Sequence, residues 1–178
     1  MSSIAIRASK LEDMQILDNK QINQKIRRLA FEILEENSNV KNLILLGINS
    51  NGLSFANLLV KEYNAIAKHP ASVGTIDLNP ADPLSSEISL RIDGTKNLKG
   101  KNLIIVDDVA NTGRTLFYAM KPLMEFLPKK VEVAVLVDRK HKSFPVKVDY
   151  VGLSLATTLK ENIQVDIKKV RTKAAFLE

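Results

Sequence analysis

The sequence contains no cysteine and no tryptophan, and only 5% of its 178 residues are aromatic. Without cysteine there is no disulfide and no thiolate metal site. Its two histidines, His69 and His141, stand far apart, so a histidine-built metal site is not expected. So few aromatics leave no ring-rich stretch on which single-stranded RNA bases could stack. No apolar run reaches the roughly 18 residues that a membrane-spanning helix requires. The N-terminal MSSIAIRASK lacks the long apolar stretch of a secretory signal. Together these absences predict a cytoplasmic protein with no membrane partner. There is no P-loop G-x4-G-K-[ST] pattern, no internal repeat and no Gly/Ser-rich linker, so one domain over residues 1–178 is expected.

What is present is ordinary in bulk and specific in detail. Hydrophobic residues make up 45% of the chain and charged ones 26%, enough to build a core and solvate it. The net charge of +6 attracts phosphates of any origin and also favours solubility. The apolar spacing of Ile22, Ile26, Leu29, Ala30, Ile33 and Leu34 predicts a helix over 15–37, with Asp18 placed as an N-cap. Short apolar runs predict strands at 42–47, 73–78, 102–106 and 131–137, with weaker ones at 150–153 and 163–167. A turn is expected at 49–52, then a helix over 53–63. Pro80, Pro83 and Gly94 mark 79–98 as a long excursion holding a hairpin. A further helix over 115–126 should be kinked or shortened by Pro122. Strands alternating with helices predict an α/β fold, a doubly wound and mainly parallel sheet flanked by helices. Ligands bind such sheets beyond the carboxyl ends of the strands.

The chemistry concentrates in residues 103–115, LIIVDDVANTGRT. A buried strand delivers two adjacent carboxylates, Asp107 and Asp108, to its carboxyl end. The turn that follows (Asn111, Thr112, Gly113, Arg114 and Thr115) opens a helix, where backbone N–H groups and the helix dipole bind phosphate. Gly113 permits close backbone approach. Two carboxylates repel a bare phosphate. They suit a ligand that carries both a phosphate and vicinal hydroxyls, which the carboxylates would accept hydrogen bonds from. A solvated acidic turn with a capped helix is the plainer alternative for Asp107-Asp108 alone.

This segment resembles the signature of type I phosphoribosyltransferases. Residues 133–152, VAVLVDRKHKSFPVKVDYVG, are similar to the pyrimidine-operon regulator/uracil phosphoribosyltransferase group of that family, as are Ile16-Leu17-Asp18 and Thr157-Thr158 followed by Glu161. The similarity spans about 15–167, leaving a basic tail at 168–178. The resemblance implies a type I fold with a small hood and a flexible loop. It also implies Mg2+-dependent transfer of ribose 5-phosphate from phosphoribosyl pyrophosphate to a nucleobase, uracil first, with the metal held mainly by substrate. It assigns Asp107 and Asp108 to the ribose hydroxyls, residues 111–115 to the 5′-phosphate, and Ser50, Asn51 and Gly52 to the pyrophosphate loop. Lys147 and Tyr150 fall at the base, with Asp138 and Arg139 near the ligand. Relatives form homodimers or homotetramers.

Three departures set the alternatives. The family's pyrophosphate loop reads close to K-T-R-G, whereas Asn49-Ser50-Asn51-Gly52 carries neither cation. A Tyr-Arg-Asp-Asp run expected after Asp77 is replaced by Leu78-Asn79-Pro80-Ala81-Asp82-Pro83, stiffer and shorter. Arg91, Lys96, Lys99 and Lys101 are candidate replacement cations. Asn111 stands where purine-specific relatives carry an acid, and asparagine cannot ionise. The alternatives are a catalytically weak or inactive nucleotide-sensing regulator, and a hypoxanthine/guanine enzyme. RNA binding would use Arg27, Arg28, Lys140, Lys142, Lys168, Lys169, Arg171 and Lys173 as a phosphate-binding face, which otherwise is simply a solvated one. Phe31 replaces a histidine of the regulator group's N-terminal helix.

Overall fold

The computed structural model describes residues 14–94, 97–156, 162–168 and 172–177. Thr157, Thr158 and Glu161 of the family-like segment, together with Lys96, Lys169 and Arg171, lie outside that set. Six strands form the main sheet in the order β4-β3-β2-β5-β6-β7: β2 (Leu43–Ile48), β3 (Ser72–Asp77), β4 (Ser89–Ile92), β5 (Asn102–Ala110), β6 (Lys130–Arg139) and β7 (Tyr150–Leu155). All neighbours are parallel except β4, which returns antiparallel against β3, so the 79–98 excursion supplies one arm of a hairpin whose other arm is β3, whereas the sequence pattern sets the whole hairpin inside 79–98.

Helices cover both faces, so the expected double winding holds. On one side α1 (Asn19–Asn37) and α2 (Asn49–Ile66) bury Ile22, Leu29, Ile33, Phe55 and Leu59 against Ile104, Val106 and Leu136. On the other, α3 (Arg114–Ala119) and a short 3-10 turn (Lys121–Glu125) bury Leu116 and Leu123 against Leu103, Ile105 and Val133. Alternate residues of β5 therefore serve opposite cores, which is why its run of apolar side chains is unbroken. Pro122 sits in the first turn of the 3-10 segment and ends the regular helix before it, as the sequence predicts.

A second sheet of three antiparallel strands, β1-β9-β8, joins β1 (Met14–Leu17) to β9 (Ala174–Leu177) and β8 (Ile163–Asp166). It corrects two expectations. Residues 15–17 extend as β1 instead of opening the helix. Asp18 begins α1 with a reciprocal capping box, its carboxylate accepting from the Gln21 N–H at 2.7 Å. The C-terminal segment expected as a basic tail instead supplies β9, the central strand of this sheet, with Ala175 fully buried. No helix among the described residues is long and apolar enough to cross a membrane.

Candidate functional site

The carboxyl ends of β2 and β5 meet at a cavity of about 390 Å³. Its walls include Ser50 and Asn51 from the start of α2, Asp107 and Asp108 from β5, Asn111 from the turn before α3, Thr115 from the first turn of α3, and two closing residues, Pro80 and Ile163. Pro80 comes from the excursion after β3, and Ile163 from the small sheet. Residues 109–116 line an adjoining hollow of about 40 Å³, the inside of the Asn111–Thr115 turn. Two motifs some 60 residues apart in sequence thus share one cavity.

The start of α2 corrects the expected turn. Helix begins at Asn49, so Ser50, Asn51 and Gly52 form its first turn. Asn49 takes the left-handed conformation, φ 49°, which asparagine tolerates better than most residues. Its side-chain oxygen accepts the Leu78 N–H at 3.0 Å and so ties the end of β3 to this turn. Gly52 is pressed against β5: a Cβ there would lie 2.5 Å from the Val106 carbonyl oxygen. That close approach lets the Asn51 amide reach Asp108, donating to its carboxylate at 2.8 Å.

The paired carboxylates lie within β5 itself, not beyond it. Asp107 is buried and its side chain accepts the Asp108 N–H at 2.9 Å. Burial, and after it the Asp108 charge, push the Asp107 carboxyl well above the usual carboxylate range. Asp108 is half-buried, its second oxygen accepting from the Val109 N–H at 3.0 Å. The next turn is held open from behind. The Thr112 carbonyl accepts the N–H groups of Ser143 and Phe144 at 2.9 and 3.1 Å. Gly113 is left-handed at φ 82° and caps α3, and Arg114 is exposed. Phe144 packs its ring 5.5 Å from Phe117.

The end of β6 reaches the same region. Arg139 donates to the Asn111 side-chain oxygen at 2.6 Å. Asp138 is ion-paired with Lys142, whose ammonium also donates to the Arg139 carbonyl. Neither Asp138 nor Arg139 lines the cavity.

The base-side expectation fares differently. Tyr150 begins β7 beside Ala134, toward the amino ends of the strands. It is buried, donates to Glu132 at 3.0 Å and accepts from Asn37 at 3.1 Å, a polar cluster under α1. Burial, then Glu132, push its hydroxyl well above the usual tyrosine range. Lys147 is exposed and ion-paired with Asp149 at 2.9 Å, and Asp149 in turn accepts the Val133 N–H. Neither residue lines the cavity, because the chain after β6 descends the sheet before β7 begins. Of the candidate cations, Lys99 and Lys101 precede β5 at its amino end, the far side of the sheet from the cavity. Arg91 is bonded to Asp77 across the hairpin. The basic face is likewise divided: Arg27 pairs with Glu62 at 3.5 Å, Arg28 donates to the Val151 and Gly152 carbonyls, and Lys173 is buried against Asn23. A separate depression of about 650 Å³ lies on the outer face of α1, lined by Lys20, Arg27, Arg28 and the exposed Phe31, away from the motif residues.

What the sequence could not point to are Ile163 at the cavity, the Asn49–Leu78 bond and the Arg139–Asn111 bond. Each depends on contacts between segments distant in the chain.

The sequence matches the phosphoribosyl transferase domain family over residues 13–169. The bifunctional protein PyrR of Bacillus mycoides is 34% identical over 170 residues, covering 89% of this chain and 92% of its own. PyrR of Bacillus anthracis matches to the same extent. Among solved structures, the hypoxanthine-guanine phosphoribosyltransferase of Bacillus anthracis superposes with a TM-score of 0.71 at 19% identity, covering 92% of this chain and 97% of its own. The hypoxanthine phosphoribosyltransferase of Trypanosoma cruzi gives 0.71 at 18%, covering 91% and 95%. At such identity these two speak for the fold alone. The relatives at higher identity and the family match over most of the chain agree: the chain belongs to the type I phosphoribosyltransferase family and is similar to its PyrR members.

Proposed function

We propose that the protein binds phosphoribosyl pyrophosphate in the 390 Å³ cavity and transfers ribose 5-phosphate to a nucleobase, uracil first. The observation that carries this reading is the meeting of Asp107-Asp108 with the Asn111–Thr115 turn and the first turn of α2 around one space. The carboxylates accept hydrogen bonds from the ribose hydroxyls, the 111–115 turn takes the 5′-phosphate, and Ser50, Asn51 and Gly52 face the pyrophosphate. The bond from C1′ to the pyrophosphate oxygen breaks while the bond from C1′ to the base nitrogen forms, and the base gives up its proton. Positive charge develops on the ribose ring between, so positioning and charge stabilisation supply most of the rate. Among the described residues no cluster of three or more acidic or histidine side chains could hold a metal by itself. Asp107 and Asp108 do fit Mg2+ that arrives on the substrate's phosphates, since that ion takes one or two carboxylates and keeps the rest of its shell for phosphate and water. It would neutralise charge on the leaving pyrophosphate. Lys147 reaches the base only if residues 140–149 rearrange on binding. The assembly is proposed to be a homodimer or homotetramer in the cytoplasm.

A second reading has its own support. No lysine or arginine is among the described residues that line the cavity, and Asn51 is bonded to Asp108. A highly charged pyrophosphate therefore meets neutral amides where charge-assisted bonds would hold it best. That favours a nucleotide-binding regulator with weak or no turnover. Uracil, hypoxanthine and guanine, each supplied with phosphoribosyl pyrophosphate and Mg2+, separate the readings through pyrophosphate release. Turnover with uracil that falls about 10²–10³-fold in Asp107→Asn and Asp108→Asn supports the enzyme. Binding of the sugar phosphate without release from any base supports the regulator. A gel shift with RNA at two salt concentrations tests whether such a regulator acts on RNA, its affinity falling steeply with salt.

A further inference from the structure

Asn111 lies just past the end of β5, between the carboxylate pair and the phosphate turn, and borders both the 390 Å³ cavity and the 40 Å³ hollow. Behind it stands Arg139 at the end of β6, whose Nη1 donates to the Asn111 side-chain oxygen at 2.6 Å. A guanidinium carries five donors and no acceptor. The amide atom facing it must therefore be the oxygen, and turning the amide over would set two donors against each other. This contact settles an orientation that an asparagine side chain alone leaves open.

The consequence falls on the opposite side of the amide. Among the described residues the Asn111 Nδ2 group has no intramolecular partner, and Asn111 is half-buried at the cavity wall instead of sealed in the core. The amide NH2 donates and neither accepts nor ionises. The guanidinium charge beside its oxygen polarises the amide and strengthens that donor. The neighbouring carboxylates offer only acceptors while ionised, so the wall changes from acceptor to donor between Asp108 and Asn111.

We propose that Arg139 fixes Asn111 as a one-way donor, selecting an oxygen acceptor on the bound nucleotide, either a base carbonyl or a 5′-phosphate oxygen. The side chain cannot remove a proton from the incoming base, so that proton leaves by another route. This inference rests on reading the cavity as the sugar-phosphate site. It adds a determinant of ligand choice, Asn111, and a positioning residue, Arg139.

Calorimetric titration of uridine monophosphate, inosine monophosphate and ribose 5-phosphate into the full chain tests it. The variants are Asn111→Asp, Asn111→Leu and Arg139→Met, with circular dichroism as a folding control. Asn111→Asp keeps size and the Arg139 contact but reverses the hydrogen-bond sense; Asn111→Leu removes the bond without adding charge. Uridine monophosphate affinity should fall about tenfold or more in both, the scale of one lost hydrogen bond in a shielded site. Arg139→Met keeps the donor but frees its orientation, and should cost a few-fold. Ribose 5-phosphate distinguishes the acceptors: unchanged affinity in Asn111→Leu assigns the base carbonyl, and a parallel fall assigns the phosphate oxygen. Both Asn111 variants binding all three ligands within about twofold of the parent overturns the inference. A parent that binds none of the three overturns the sugar-phosphate reading itself, and the inference with it.

Discussion

Asp107 shows how one buried side chain makes the whole chain sensitive to pH. Its carboxyl is pushed upward by burial and by Asp108. Below the ordinary carboxylate range, near pH 4, it is protonated both folded and unfolded and costs nothing. As pH rises the unfolded chain releases the proton first, so folding loses stability until the raised folded value is passed. Asp107→Asn should therefore raise the melting temperature at pH 8 and change it little at pH 4. An equal gain at both pH values would show that the burial of this charge is not the cause. Asn51 offers a second measurement at this scale. Asn51→Ala leaves Asp108 without its 2.8 Å donor. Sugar-phosphate affinity should fall several-fold, about the worth of one ordinary hydrogen bond, with little change in melting temperature because the bond is half-exposed.

At the scale of elements, the two glycines at the site act differently. Gly52 holds the first turn of α2 against β5, where a Cβ would meet the Val106 carbonyl at 2.5 Å. Gly113 needs its left-handed backbone, yet a Cβ would find only ordinary contacts of 3.4 Å and beyond. Gly113→Ala should lose about 1–2 kcal/mol for the left-handed conformation and still fold. Gly52→Ala should lose more than overpacking alone, typically about 1–3 kcal/mol, because backbone meets backbone and α2 must shift away from Asp108. Denaturant titration of both, with ligand binding read in parallel, separates local strain from a displaced element. Tyr150 belongs to this scale too. Its hydroxyl joins β7 to β6 and α1 through Glu132 and Asn37. Tyr150→Phe should cost about 1–3 kcal/mol of stability by leaving buried groups unpaired, with nucleotide affinity unchanged. Weakened affinity at unchanged stability would return Tyr150 to the base site.

At the scale of the whole molecule, the site is closed by a part of the chain that the main sheet does not contain. Ile163 of β8 reaches the cavity, while β8 is held by β9 and β9 by β1. The two ends of the described chain therefore meet in one small sheet beside the carboxyl edge of the large one. Ala175 is fully buried where β9 packs. Ala175→Asp should loosen the small sheet, raising protease cleavage around 163–177 and weakening ligand binding, while the six-stranded sheet still unfolds cooperatively. Simultaneous collapse of both sheets would mean that they fold as one unit.

The main sheet, its double winding and the placing of Asp107-Asp108 ahead of a helix start were legible in the sequence, because those depend on local signals. Unbroken apolar runs make buried strands, and V-D-D-V followed by N-T-G-R-T states carboxylates, turn and helix start within a dozen residues. Family likeness in 133–152 was equally legible in the sequence. The likeness sets Tyr150 at the base, whereas its hydroxyl is bonded to Glu132 and Asn37 under α1; a tyrosine beside a strand start reads alike whether its ring faces ligand or core. The structure alone decided which distant residues touch: Asn51 with Asp108, Asn49 with Leu78, Arg139 with Asn111, and β1 with β9. Those contacts are made by packing across the sheet, where chain separation carries no signal. They turn two altered motifs into one cavity that has carboxylates and amide donors in its wall and, among the described residues, no cation.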